Sequence, residues 1–359
     1  MGGTTRRTTT DGDFATRLIA WHHGHGRHDL PWQNTRDPYR IWLSEIMLQQ
    51  TQVDTVIPYY ARFLARFPDL ASLAAAPVDD VLALWSGLGY YARARNLHRA
   101  AQAVMTRHGG EFPRHAATIA ELPGVGRSTA AAIAAFAFGE RAAILDGNVK
   151  RVLCRVFGIA GFPGERAVEQ RLWALAEELL PPTGIGTYIQ AQMDLGATLC
   201  TRGKPACGRC PMAQICVALR DDRVAELPAA RPKKAVPQRH VRVAVIVADG
   251  GVLLERRPPS GIWGGLLALP EIPDGEADAA RWVATRYGLA AQATRPLPPL
   301  NHAFTHFRLE ITPLLVEADG HGHMAADADH RWLALDSLAD AGLPTPVRRI
   351  LAELAAARP

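Results

Sequence analysis

The sequence has no apolar stretch reaching the roughly 18–20 residues that a bilayer span requires, so it offers no helix that would thread a membrane. Its opening, MGGTTRRTTTDGDF, lacks the apolar core of a secretory signal, and Asp11 and Asp13 come too early for an acid-poor transit peptide. A polar, disordered tail over residues 1–13 of a cytoplasmic protein is the expectation. Lysine is nearly missing: only four of the 40 basic residues are lysine, so almost every cation is a guanidinium. Cysteine is sparse too, five in 359 residues, and four of the five lie between Cys200 and Cys216. That crowding argues against a disulfide framework and for a metal site. Cys154 stands apart on a helical stretch and reads as a small core residue.

A hydrophobic content of 48% is enough to bury real cores and excludes global disorder. The length allows two or three domains. The formal net charge of +5 is unevenly spread. Residues 239–359 hold 12 basic and 14 acidic groups, whereas residues 1–238 hold 28 and 21. An arginine excess in the first two thirds suits phosphate, which the guanidinium fork grips bidentately. A compositional bias toward Arg and Ala would produce the same excess.

Apolar positions recur at three and four over 40–50, 78–85, 92–108, 128–138, 148–157 and 166–180, so residues 14–225 are predicted to be all-α. The Pro-rich, charged stretch 226–240 reads as a linker. Beyond it VRVAVIVAD, then Asp249-Gly250, then GVLLERR predict a β-hairpin. Residues 307–318 and 330–336 predict further strands, and PTPVRRILAELAAA a closing amphipathic helix. Residues 241–359 therefore form a second, α+β domain.

The stretch LPGVGRSTAA, Leu122–Ala131, sets two bare glycines at the mouth of an alanine-rich helix. Gly124 and Gly126 can take φ > 0 and put no side chain in the way. A helix opening near Ser128 presents unpaired amides and a positive dipole end. Together these suit an anion that must come close, such as a phosphodiester, with Arg127 beside it. Twenty residues on, ILDGNVKRV places Asp146 just before another helix. A capping aspartate would look the same.

LPGVGRSTA followed by LDGNVKRV resembles the helix-hairpin-helix DNA glycosylase superfamily. Adding LPWQNTRDPYRIWLSEIMLQQTQV, LWSGLGYYARARNLH, the cysteine spacing and NHAFTHFRL, the chain is similar to the adenine DNA glycosylase (MutY) family over about residues 14–349. The resemblance implies an all-α helix-hairpin-helix core with an iron–sulfur loop, and a C-terminal Nudix-like domain. It implies removal of adenine mispaired with 8-oxoguanine, or more weakly with guanine, in duplex DNA by a monomer associated with the nucleoid.

The implied chemistry needs one neutral and one ionised carboxyl. Glu45 sits among Ile41, Trp42 and Leu48, which disfavour its charge and suit a proton donor. Asp146, flanked by Gly147, Asn148 and a helix start, is placed to stay anionic and stabilise a sugar cation. Bifunctional relatives carry a lysine at position 128. Ser128 supplies no amine, which predicts a monofunctional enzyme. Lys150 remains as an adventitious amine and a DNA contact.

By the same resemblance Gln50, Thr51, Leu88 and Tyr90 would fill or pry the duplex. Of Tyr90 and Tyr91, one should intercalate and one should pack. Trp32, Gln33 and Gln190 would line the adenine pocket, although some members carry arginine and glutamate where Gln33 and Gln190 stand. Phe304, Thr305 and His306 would detect 8-oxoguanine. The stretch GGLLALPEIPDGEADAARWVATRYGL lacks the glutamates that a Nudix pyrophosphatase uses for magnesium, so recognition without hydrolysis is expected.

Cys200, Cys207, Cys210 and Cys216 could by spacing hold zinc or an iron–sulfur cluster. The resemblance implies 4Fe–4S. Arg202, Lys204 and Arg209 protrude between the ligands toward phosphates. A monovalent cation at the hairpin 122–127 is the other expected cofactor.

Overall fold

The computed structural model describes residues 10–232, 235–258, 261–304, 306–319, 329–338 and 341–356. They group into two compact units. One runs through Ala75 and resumes from Arg99 to 233; the other joins Ala76–His98 to the chain from 234 onward. The helices are α1 (Thr10–His25), α2 (Pro38–Leu48), α3 (Val53–Arg66), α4 (Leu70–Ala75), α5 (Val78–Trp85), α6 (Ala92–Arg107), α7 (Ala116–Ile119), α8 (Arg127–Phe138), α9 (Gly147–Val156), α10 (Arg166–Glu178), α11 (Ile185–Asp194) and α12 (Val217–Arg220), then α13 (Ala279–Tyr287) and α14 (Thr345–Ala356). Helix α1 begins at Thr10, inside the expected tail. Among the described residues no helix is long and apolar enough to cross a membrane.

In the first unit α2 starts where Asp37 caps it, its carboxylate accepting from the Tyr39 amide at 2.9 Å, with Pro38 in the first turn where a missing N–H costs nothing. Trp42, fully buried against Phe112 at 5.6 Å, anchors the helix. Truncating such a residue costs about 3–5 kcal/mol. Helix α8 buries Ala130–Ala135 and Ala137 and ends on Gly139 at φ +75°. Its small side chains let neighbouring backbones approach. Val149, Val152, Leu153 and Val156 of α9 join Phe14, Leu18, Tyr188 and Ile189 in one core. After α11 the chain widens into a π-helical turn, Leu195–Leu199, and enters the cysteine loop.

The second unit holds strands β1 (Gln238–Ala248), β2 (Gly251–Arg256), β3 (Leu267–Ala268), β4 (Glu271–Ile272), β5 (Ala291–Pro296), β6 (Leu300–Ala303), β7 (Arg308–Ala318) and β8 (His330–Ala334). They form one mixed sheet along β3-β2-β1-β7-β5, with β4 on β1, β6 on β7 and β8 on β2. Strands β1 and β7 run parallel from Gln238↔Arg308 to Val247↔Glu317. The predicted hairpin is present: Asp249 and Gly250 both take positive φ, as the primed two-residue turn demands, and Ala248 pairs with Gly251. Helix α13 carries no glutamate.

The division differs from the sequence reading in one respect. Residues 76–98, expected in the helical region, belong with the sheet. Arg256 grips Asp79 through two bonds of 2.8 and 2.7 Å, the Tyr91 hydroxyl donates to the Leu343 carbonyl at 3.2 Å, and Arg95 donates to the Gly264 carbonyl.

Candidate active site

Glu45 lies on α2 at the wall of a cavity of about 370 Å³, whose lining includes Trp32, Gln33, Ser44 and Gln190. Its neighbours Ser44 and Ile46 are buried, and only Glu45 turns its carboxyl to the cavity. No donor bonds to it among the described residues. Burial of that carboxyl, with the nearby Asp146 charge adding to it, pushes Glu45 up to about 8. It is therefore a neutral acid at pH 7.

Asp146 is the N-cap of α9. Its Oδ1 accepts the Val149 amide at 2.7 Å and its Oδ2 the Asn148 side-chain amide at 3.3 Å. The capping geometry and the functional reading thus coincide in one residue. Burial raises Asp146 as well, against the expectation of a freely ionised group. The backbone and side-chain bonds from Val149 and Asn148 and the Arg151 charge oppose that rise. Glu45 has no such donors, so of the two acids Asp146 ionises first. The sequence pair thus meets electrostatically, with unlike protonation preferences.

Arg151 was missed in the sequence. Its Nη2 donates to Asn148 Oδ1 and to the Gly196 carbonyl, both at 2.8 Å, and its Nε to the Cys200 carbonyl at 2.7 Å. It thus joins the cap of α9 to the first cysteine. The only signal was helical spacing, three residues beyond Asn148. Arg155, four residues further, is 4% exposed and donates to the carbonyls of Leu227, Thr201 and Arg202 and to Cys200 Sγ at 3.4 Å.

Cys200, Cys207, Cys210 and Cys216 all line one small apolar cavity, with Val152, Leu195 and Leu199. Burial, with the other thiolates adding, pushes Cys210 up to about 11 and raises Cys216. Four crowded thiolates need a cationic core between them. Four thiolate donors on one apolar cavity fit a 4Fe–4S cluster. Arg202, Lys204 and Arg209 are all exposed on this loop.

In the hairpin only Gly124 has positive φ, +78°. Gly126 is extended, at φ −90°, and is the N-cap of α8. A Cβ on Gly126 would meet nothing within 4 Å. Neither backbone nor packing requires glycine there. The helix opens at Arg127, one residue earlier than expected. Ser128 Oγ accepts from the Leu145 amide at 3.0 Å, next to Asp146.

Several expected contacts are differently engaged. Arg127 pairs with Glu177 and lies over the Trp173 ring at 3.8 Å. Lys150 pairs with Glu169 at 2.5 Å. Gln33 spends its amide on the Arg27 carbonyl at 2.9 Å and the Leu30 amide at 3.1 Å. Trp32 packs edge-on against Tyr60 at 5.4 Å.

Gln50 is exposed with φ +58°, and Thr51 is half-buried. Tyr90 has φ +49° and is 46% exposed, whereas Tyr91 is buried. Such non-glycine strain costs roughly 1–3 kcal/mol and clusters at functional positions. Leu88, expected to pry at the duplex, is instead buried at 5% exposure and does not project. In the sheet unit Phe304 stacks on Phe307 at 4.4 Å, beside His302 and Trp263, and His306 is exposed. Thr305 lies outside the described residues.

Residues 43–178 match the model of HhH-GPD superfamily base excision DNA repair proteins, 200–216 that of the iron-sulfur binding domain of endonuclease III, and 242–353 that of the NUDIX domain. An adenine DNA glycosylase of Buchnera aphidicola (subsp. Schizaphis graminum) is 36% identical, the match covering 94% of this chain and 97% of the relative. Those of Mus musculus and Homo sapiens are 35% and 33% identical over 94% of this chain and 77% and 73% of theirs. Among solved structures, a thermostable thymine-DNA glycosylase superposes with a TM-score of 0.54 at 32% identity, over 59% of this chain and 97% of its own. A non-covalent endonuclease III–DNA complex superposes at 0.51 and 21% identity, over 59% and 97%, a likeness of fold. With 33–36% identity to these glycosylases over 94% of its length, and with the helix-hairpin-helix and iron-sulfur matches in register, the chain belongs to the adenine DNA glycosylase family, hydrolases of N-glycosyl bonds that carry a 4Fe–4S cluster.

Proposed function

We propose that the chain excises adenine lying opposite 8-oxoguanine, and more weakly opposite guanine, leaving an abasic site with the strand intact. The observation that carries this reading is Glu45: an acid neutral at pH 7, facing a cavity large enough for a purine, within reach of the Asp146 charge. The flipped adenine enters that cavity. Glu45 gives it a proton, and the N-glycosidic bond breaks with its electron pair going to the base. Asp146, ionised, stabilises the cation left on the sugar. Water adds to that carbon and releases a proton.

Ser128 holds the Leu145 amide and Lys150 holds Glu169, so among the described residues neither position offers a free amine to the sugar. That favours hydrolysis over strand cleavage. The amides opening α8 and the bare Gly126 suit a phosphate, and Arg202, Lys204 and Arg209 another. The cluster, held by the four cysteines, would fix that loop. The Phe304 aromatic group suits detection of the opposite base. One chain carries both acids, so a monomer suffices, acting on DNA in the cytoplasm.

The test is adenine release from duplexes that vary only the base across from adenine, with strand integrity followed before any alkali. Fast release opposite 8-oxoguanine and unbroken strands are expected. Equal release opposite every base would overturn the specificity, and direct nicking the monofunctional assignment.

A further inference from the structure

Asp194, the last residue of α11, is fully buried. Its Oδ1 accepts from Arg27 Nε at 2.8 Å, Arg27 Nη2 at 2.6 Å and the Gln190 side-chain amide at 2.9 Å. Its Oδ2 accepts the Arg27 backbone amide at 2.8 Å and lies 3.3 Å from His22 Nε2. All four of these bonds are donated to the carboxyl oxygens. Gln190 can therefore turn only its N–H side toward Asp194. The carbonyl is left as its other edge, and Gln190 lines the cavity that holds Glu45. Among the described residues no donor bonds to Gln190 Oε1.

Three other polar residues of the lining have partners of their own. Arg27 is bound to Asp194, Gln33 to the backbone at 27 and 30, and the Ser44 hydroxyl to the Ile41 carbonyl. An unrestrained glutamine amide can flip, and would greet a donor or an acceptor equally well. A held one cannot.

We propose that Asp194 is a positioning residue: by holding the Gln190 N–H it fixes the carbonyl as the pocket's acceptor, so the site takes a 6-amino purine and refuses a 6-oxo purine. This rests on the adenine-excising reading above. The amino group finds Gln190 Oε1, whereas a 6-oxo group would set two lone-pair oxygens against each other. A site built to pair a polar group discriminates strongly against its mismatch.

The experiment compares single-turnover release of adenine and of hypoxanthine, each opposite 8-oxoguanine in the same duplex. Wild type should favour adenine by at least about tenfold. Asp194→Asn should narrow that ratio about tenfold or more, because the new side chain can also donate and lets the Gln190 amide turn. Gln190→Met should narrow it similarly, and adding Asp194→Asn to Gln190→Met should change it no further. If Asp194→Asn does not fold, Asp194→Glu keeps Arg27 paired while displacing the acceptor, and carries the same expectation. An unchanged ratio overturns the proposal. So does an equal loss on both bases, or a further shift in the Gln190→Met background. If wild type releases adenine from no duplex, the excision reading itself has failed instead.

Discussion

Asn148 lies against the bare backbone of Gly196: a Cβ on that glycine would stand 2.5 Å from the Asn148 Cβ. Gly196 sits in the π-helical turn before Cys200, and its carbonyl accepts from Arg151. Gly196→Ala must therefore push Asn148 away from Asp146 and Arg151. Adenine release should fall about 10–100-fold, with affinity for an abasic-site duplex little changed. Single-turnover rates set beside equilibrium binding would check this.

Glu45→Gln should lower adenine release by at least about 10²-fold, the usual share of a positioned acid, while leaving DNA binding in place. It should also stabilise the protein at alkaline pH. The folded value of about 8 lies above the ordinary 4.5, so wild type loses stability as pH rises from 4.5 through 8. The amide has no such loss. A gain on the order of 1–3 kcal/mol at pH 8.5, read from thermal unfolding, is expected.

The rate of base release should trace a bell against pH. It falls as pH rises through about 8, where Glu45 loses its proton. It falls again in acid as Asp146 gains one, at a pH above its usual carboxylate value because burial raises it. Single-turnover excision across pH 4–10 measures both limbs, and Glu45→Gln should abolish the alkaline one.

Arg155→Gln removes bonds to three carbonyls and to Cys200 Sγ from a buried position. The cysteine loop should loosen, and the visible cluster absorbance per chain should fall markedly. A preparation with full absorbance and normal thermal stability would contradict this.

Ser128→Lys would place an amine beside the Leu145–Asp146 turn. Borohydride should then trap a covalent adduct with DNA that wild type does not give, since Lys150 is engaged with Glu169. Efficient trapping by wild type would mean that Lys150 leaves its partner.

Local chemistry was the legible part. The apolar spacing over 40–50 announced α2, Asp249-Gly250 announced the hairpin, and the cysteine spacing announced the loop. What escaped depended on distant partners. Asp194 reads as one acid in an apolar stretch, and its partner Arg27 lies 167 residues away. Arg151 and Arg155 looked like ordinary helix cations until their acceptors in the cysteine loop came into view. Strand β5 was invisible because nearly all of it is solvent-exposed, so it carries no alternation, and it ends in proline. Leu88 and Tyr90 could not be told apart by residue type, because exposure is decided by the fold around them.

The grouping of residues 76–98 with the sheet bears on how the molecule can be dissected. The backbone passes from one unit to the other three times, near 75, 98 and 233, so no single cut separates them. A fragment stopping at 233 would keep α5 and Tyr91 but strip away Arg256, Gly264, Leu343 and Arg348 that bind them. Such a truncation is not a miniature catalyst with one sensor removed. It is a chain with an orphaned segment in its middle, and any altered base preference it displays would have two causes rather than one.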